Sequence, residues 1–182
     1  MKADSMTPNT SSEWAANTLP QTPALVLATK EVLQQSLRLL ESCGEKYAFV
    51  EPAPFDASVG RHFRHVLEHF HCLLQGANSG EVNYDGRKRD ARIETEASFA
   101  AAATNGVIRQ IELWNAATLA QRCSTVSSLA YHSDSPSIIS SNLGRELAYC
   151  IGHAIHHFAM IRLLCSAGSN GRCNTSSSRL TP

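Results

Sequence analysis

Histidine is concentrated in two stretches of the chain, "RHFRHVLEHFH" at residues 61–71 and "GHAIHH" at 152–157. Together they hold all but one of the 8 histidines. Both lie in otherwise apolar sequence, where an imidazole needs a hydrogen-bond partner or a cation. In the second stretch His153 and His157 stand at i and i+4. On a helix they share a face, with Cβ atoms about 6 Å apart, so both rings can reach one ion. Zinc-protease helices use that spacing, but the glutamate of their HExxH motif is missing from "HAIHH". His156 lies about 100° around the helix from His157 and reads as a neighbour or surface group rather than a ligand.

In the first stretch His62, His65 and His69 fall at i, i+3 and i+7 along one stripe, and His71 points elsewhere. A pair from one helix and a single histidine from a facing helix give three neutral nitrogen ligands. A further position then stays open to water or substrate, the layout of a catalytic rather than a closed structural site. Three imidazoles suit zinc, nickel, copper or iron(II). Imidazole must lose its proton to ligate, so metal affinity is expected to fall as pH drops through about 6. The competing reading is a set of hydrogen-bonded core histidines.

Four helical patterns must position these residues. The first is "PALVLATKEVLQQSLRLLESCG", with Leu25, Val32, Leu33, Leu37 and Leu40 at helical spacing, Pro23 in its first turn and Gly44 as its stop. The second is "SVGRHFRHVLEHFHCLLQG", capped by Ser58, ended by Gly76, and apolar at Val59, Phe63, Val66, Phe70, Leu73 and Leu74. The third is "TEASFAAAATNGVIRQIELWNAATLAQR", capped by Thr95 and rich in alanine, with Phe99, Val107, Ile111 and Trp114 toward one side. The fourth, "SNLGRELAYCIGHAIHHFAMIRLLCSAG", opens at Ser140 or Ser141 and closes near Gly168. "EKYAFVEPAPFDA" and the charged, turn-rich "ANSGEVNYDGRKRDAR" read as loops, and "CSTVSSLAYHSDSPSIIS" as a short, weakly formed hairpin. The expectation is an all-α, up-and-down four-helix bundle, with a long loop between helices two and three and a short hairpin before helix four.

Composition bounds the function classes. The chain has 182 residues, 43% of them hydrophobic, which suits one domain with a full core. Sixteen basic residues balance 16 acidic ones, which argues against nucleic acid as a partner. No continuous apolar run reaches the roughly 18–20 residues of a membrane span. The six cysteines are scattered without a CxxC pair and read as reduced thiols, so a cytoplasmic location is expected. Residues 1–21 read as a disordered leader unlike a secretory signal, 22–166 as the folded domain, and 167–182 as a flexible tail.

With those residues in place, a family resemblance emerges. "SVGRHFRHVLEHF", followed much later by "SSNLGRELAYCIGHAIHHFAMI", resembles the DinB-like (DNA-damage-inducible) superfamily of four-helix-bundle metalloproteins. The loop "VNYDGRKRDARIET" resembles a subgroup of the same superfamily. Together the matching segments cover about residues 22–164. The tail "SAGSNGRCNTSSSRLTP" departs from the more ordered continuation of that subgroup. The resemblance implies a divalent metal on three histidines, most simply zinc or nickel. By position after Ser58 the helix-two ligand is His65, joining His153 and His157, with His62 and His69 as alternatives. It implies metal-dependent hydrolase or thiol S-transferase chemistry on a small-molecule substrate such as a thiol. A homodimer is compatible with it. A non-catalytic metal-binding or stress-response module, or a helical interaction protein with core histidines, are the alternatives.

Other residues have a weaker claim. Glu146, seven residues before His153, could orient an imidazole or act as a base, but reads chiefly as a helix-surface charge or a partner for Arg145 or an arginine of the long loop. Glu68, next to His69, has the same two readings, with surface charge the leading one. Asp85, Arg87, Arg89 and Asp90 read chiefly as anchors for the long loop, and secondarily as an anion-binding rim. Cys150 is a candidate fourth ligand or an inert thiol, and Trp114 and Tyr149 read as packing.

Overall fold

The computed structural model describes residues 22–128 and 136–170. The expected leader, and the tail beyond residue 170, lie outside the described residues. Four long helices dominate: α1 (Ala24–Cys43), α2 (Val59–Ser79), α4 (Ala97–Ile111) and α6 (Leu143–Asn170). α1 and α2 each pack against both α4 and α6. Short helices α3 (Ala91–Thr95) and α5 (Ala116–Ala120) lie on either side of α4 in the chain.

Periodicity explains the packing. Leu143, Leu147, Cys150, Ala154, Phe158, Ile161 and Leu164 recur at three- and four-residue steps along α6 and are all buried. All of these but Leu164 meet Phe63, Val66, Phe70 and Leu73 of α2 and Val26, Leu33 and Leu40 of α1 in one core. Phe63 and Phe158 hold α2 to α6 with ring centroids 5.9 Å apart. Truncating a side chain such as Leu147 or Leu73, each 0% exposed, costs about 2–5 kcal/mol. By length and composition Leu143–Ser166 would also pass for a membrane span. Its buried stripe is accounted for by this core.

The fold is not all-α. Strands β1 (Val50–Glu51) and β2 (Ala57–Ser58) pair antiparallel in the first loop. A second sheet has the order β3-β4-β5: β3 (Glu81–Asn83) runs parallel to β4 (Arg122–Ser127), and β4 antiparallel to β5 (Ser137–Asn142). The expected weak hairpin is therefore six residues long on each side, although its turn lies outside the described residues. The long loop after α2 is not structureless, because its first residues add a strand to that hairpin. Helical periodicity carries no signal for a strand whose partner lies over forty residues away.

Four helix boundaries also differ from expectation. Ser140 and Ser141 belong to β5, and α6 opens at Leu143 behind Asn142, whose Oδ1 accepts from Arg145 N at 2.9 Å. The third helical pattern breaks into α4 and α5, since Asn115 is extended and its side chain accepts from Thr118 N at 3.0 Å to cap α5. Thr95 ends α3 instead of capping α4. Gly76 does not stop α2, which runs on to Ser79 and ends at Gly80 in a left-handed conformation, φ 80°. Gly76 serves the return of β3, because a Cβ there would meet Val82 Cγ2 at 2.4 Å. Ser58 does cap α2, accepting from Arg61 N at 3.0 Å, and Gly44, φ 52°, does stop α1.

Candidate metal centre

The packing of α2 on α6 brings the two histidine stretches together. His65 faces His153 and His157, with ring centroids 4.9 and 4.7 Å away, and those two rings lie 4.6 Å apart. One nitrogen from each of the three falls within 4.8 Å of the others. Donors that close to one another can converge on a single cation. His153 Nε2 is buried and has no hydrogen-bond partner among the described residues. An orphaned buried nitrogen is costly unless something ligates it. The group therefore could hold a metal ion.

Protonation state points the same way. Burial pushes His65 down to about 3, with further lowering from His69, His157 and His153. Burial likewise pushes His153 and His157 down to about 4, and neighbouring histidines add to it. At neutral pH the rings are uncharged and their lone pairs are available, as metal ligation requires.

The two alternative helix-two histidines lie beside this trio, each with its Nδ1 already in a hydrogen bond. His62 Nδ1 is 2.8 Å from His157 Nδ1, so one ring donates to the other. That leaves Nε2 as the nitrogen His157 has available. His69 is buried, and its Nδ1–H donates to the His65 carbonyl at 2.8 Å, which fixes its tautomer because a carbonyl only accepts. Its ring packs against His153 at 4.1 Å and stacks on Tyr84 at 5.3 Å. His156 is exposed, and His71 lines a cleft away from the trio.

A polar layer supports the histidines. Glu146, 0% exposed, accepts from the Tyr84 hydroxyl at 2.9 Å, Ser141 Oγ at 2.5 Å and Arg145 Nη1 at 2.8 Å. Its carboxylate is thus occupied with the sheet and the loop rather than with an imidazole. Cys150 lies 3.7 Å from the same hydroxyl, and burial pushes its thiol up to about 12. Its sulfur sits against Tyr84, and the converging group comprises the three histidines without it. Tyr149, expected as core or groove packing, is 39% exposed and stacks on His153 at 5.7 Å.

Glu68 is not surface charge. It is 3% exposed and pairs with Arg64 at 3.0 Å and Arg87 at 3.7 Å. Arg64 also binds Glu94 at 2.7 Å, and Arg87 donates to the Tyr84 carbonyl. Asp85 accepts from Ser128 N at 2.6 Å, and Asp90 caps α3 and pairs with Arg92 at 2.7 Å. Asp85, Arg87 and Asp90 make these contacts along the charged loop, while Arg89 is exposed. Tyr84 lies in the loop segment that carries the family resemblance, but no periodic signal marks its role, which rests on partners from α2 and α6.

Comparison with protein-family models, with curated proteins and with solved structures finds no match for this chain. Fold and site define a mostly helical protein with two small sheets and a partly buried three-histidine group able to hold a metal ion.

Proposed function

We propose that the protein is a DinB-like four-helix-bundle metalloprotein whose His65, His153 and His157 hold one divalent transition metal, zinc or nickel. The observation that carries this reading is the convergence of the three nitrogens within 4.8 Å in a partly buried setting. Three neutral nitrogens suit either ion. A bound ion would supply Lewis acidity toward a water or an incoming thiol, the chemistry of a hydrolase or a thiol transferase. The chain's own residues present uncharged imidazoles and fix their orientation. His62 and His69 restrict the rings beside them, and Tyr149 is the exposed aromatic group at the rim. On this reading the reactant is a small molecule, and the setting is cytoplasmic.

A second reading is a metal-binding module without catalysis. It is favoured by the position of a cleft of about 370 Å³, which is lined by Glu68, His71, Cys72, Lys88 and Phe99 rather than by the three histidines. Metal analysis of the purified chain beside His65→Ala and His153→Ala tests the site itself. One equivalent in the wild type and none in either variant is expected. Retention in both sinks the three-histidine assignment. A screen of the metal-loaded chain with thiol and ester substrates then separates the two readings.

A further inference from the structure

Cys43 is the last residue of α1, and Cys165 lies near the end of α6. Their sulfurs are 3.9 Å apart although 122 residues separate them in the chain. A disulfide has an S–S distance of about 2.03–2.05 Å, so each sulfur must move by roughly 1 Å. The two positions also differ in access. Cys43 is 7% exposed, whereas Cys165 is half-buried and lines a small cleft with Lys46, Phe49 and Glu51.

We infer that Cys43 and Cys165 form a reversible redox site, closed to a disulfide by exchange with an oxidised low-molecular-weight thiol. Cys165, the more accessible sulfur, gives up its proton and attacks one sulfur of the small disulfide. A mixed disulfide forms and one small thiolate leaves, taking up a proton. The Cys43 sulfur, once deprotonated, then attacks the Cys165 sulfur. The Cys43–Cys165 bond forms, and the second small thiolate departs and is protonated. Two protein thiols are oxidised while one small disulfide is reduced to two thiols. The closed bond would tie the far end of α6, the helix that carries His153 and His157, to the end of α1. Burial and the neighbouring Cys165 push the Cys43 thiol up to about 11, so the closing step should quicken as pH rises.

The full chain, reduced and then freed of reductant, is treated with oxidised glutathione and digested without reduction for mass spectrometry. The expected result is a peptide pair joined through Cys43 and Cys165, lighter by two hydrogens than the separate thiol peptides. The oxidised protein should melt roughly 5–10 °C higher than the reduced form, because a long loop has been closed in the unfolded chain. Cys43→Ser and Cys165→Ser should each abolish both effects, while Cys123→Ser keeps them. A glutathione adduct that persists on Cys165 with Cys43 still a thiol overturns the inference. So does a bridge formed preferentially with another cysteine such as Cys173. Neither readout depends on metal binding, so the outcome is independent of the three-histidine assignment.

Discussion

His62 Nδ1 lies 2.8 Å from His157 Nδ1, joining the first turn and a half of α2 to the ligand face of α6. A hydrogen bond to the far nitrogen of a ligating imidazole holds its ring and its tautomer. Replacing His62 by alanine should therefore weaken metal binding about 10–100-fold without abolishing it. His157→Ala should abolish stoichiometric binding, and His156→Ala, on an exposed face, should leave it unchanged. Competition against a chromophoric chelator measures all three. Equal affinity of His62→Ala and the wild type would remove His62 from the site.

The depressed histidines set a pH dependence. Their ordinary value is 6.5, and the folded chain lowers His65 to about 3 and His69, His153 and His157 to about 4. Between those limits the unfolded chain binds more protons than the folded one. Stability of the metal-free protein is therefore full above about 6.5 and declines as pH falls toward about 4. Each extra proton taken up on unfolding costs about 1.4 kcal/mol per pH unit. Urea midpoints should hold level from pH 7.5 to about 6.5 and fall from there to pH 5, and less so in His65→Ala.

The same shifts move the metal's own pH limit. Unperturbed imidazole suggests loss of metal near pH 6, but rings that resist protonation until about 3–4 compete with the ion only at lower pH. Bound metal followed by equilibrium dialysis should persist well below pH 6. Loss centred above pH 6 would contradict the neutral, desolvated trio.

Glu146 is a structural carboxylate with three partners. Glu146→Ala leaves the Tyr84 hydroxyl and Ser141 Oγ without their acceptor in a dry setting. It should destabilise the fold by about 3 kcal/mol. Tyr84→Phe, which removes one donor, should cost about 1 kcal/mol. Denaturant titration gives both values. Metal stoichiometry should stay at that of the wild type, since neither residue supplies a ligand.

Gly60 sits where the α3 end of the charged loop crosses α2, and a Cβ there would lie 1.9 Å from the Glu94 carbonyl oxygen. Backbone cannot yield as a side-chain tip can. Gly60→Ala should cost about 1–3 kcal/mol, seen as a lowered thermal midpoint.

The sequence by itself determined the local features. Apolar spacing placed the long helices, Ser58 and Gly44 marked two of their ends, and the i, i+4 histidines fixed which face of α6 carries His153 and His157. These follow from interactions within a few residues. The identity of the facing histidine was not decided there, because His62, His65 and His69 share one stripe of α2. Only the relative height and rotation of two packed helices placed His65 against both members of the pair, with His62 hydrogen-bonded to His157 and His69 to the His65 carbonyl. Tertiary structure also made Glu68 and Glu146 buried, partnered carboxylates and built β3 onto a distant hairpin. Those outcomes depend on contacts between residues far apart in the chain, which periodicity and capping signals do not encode.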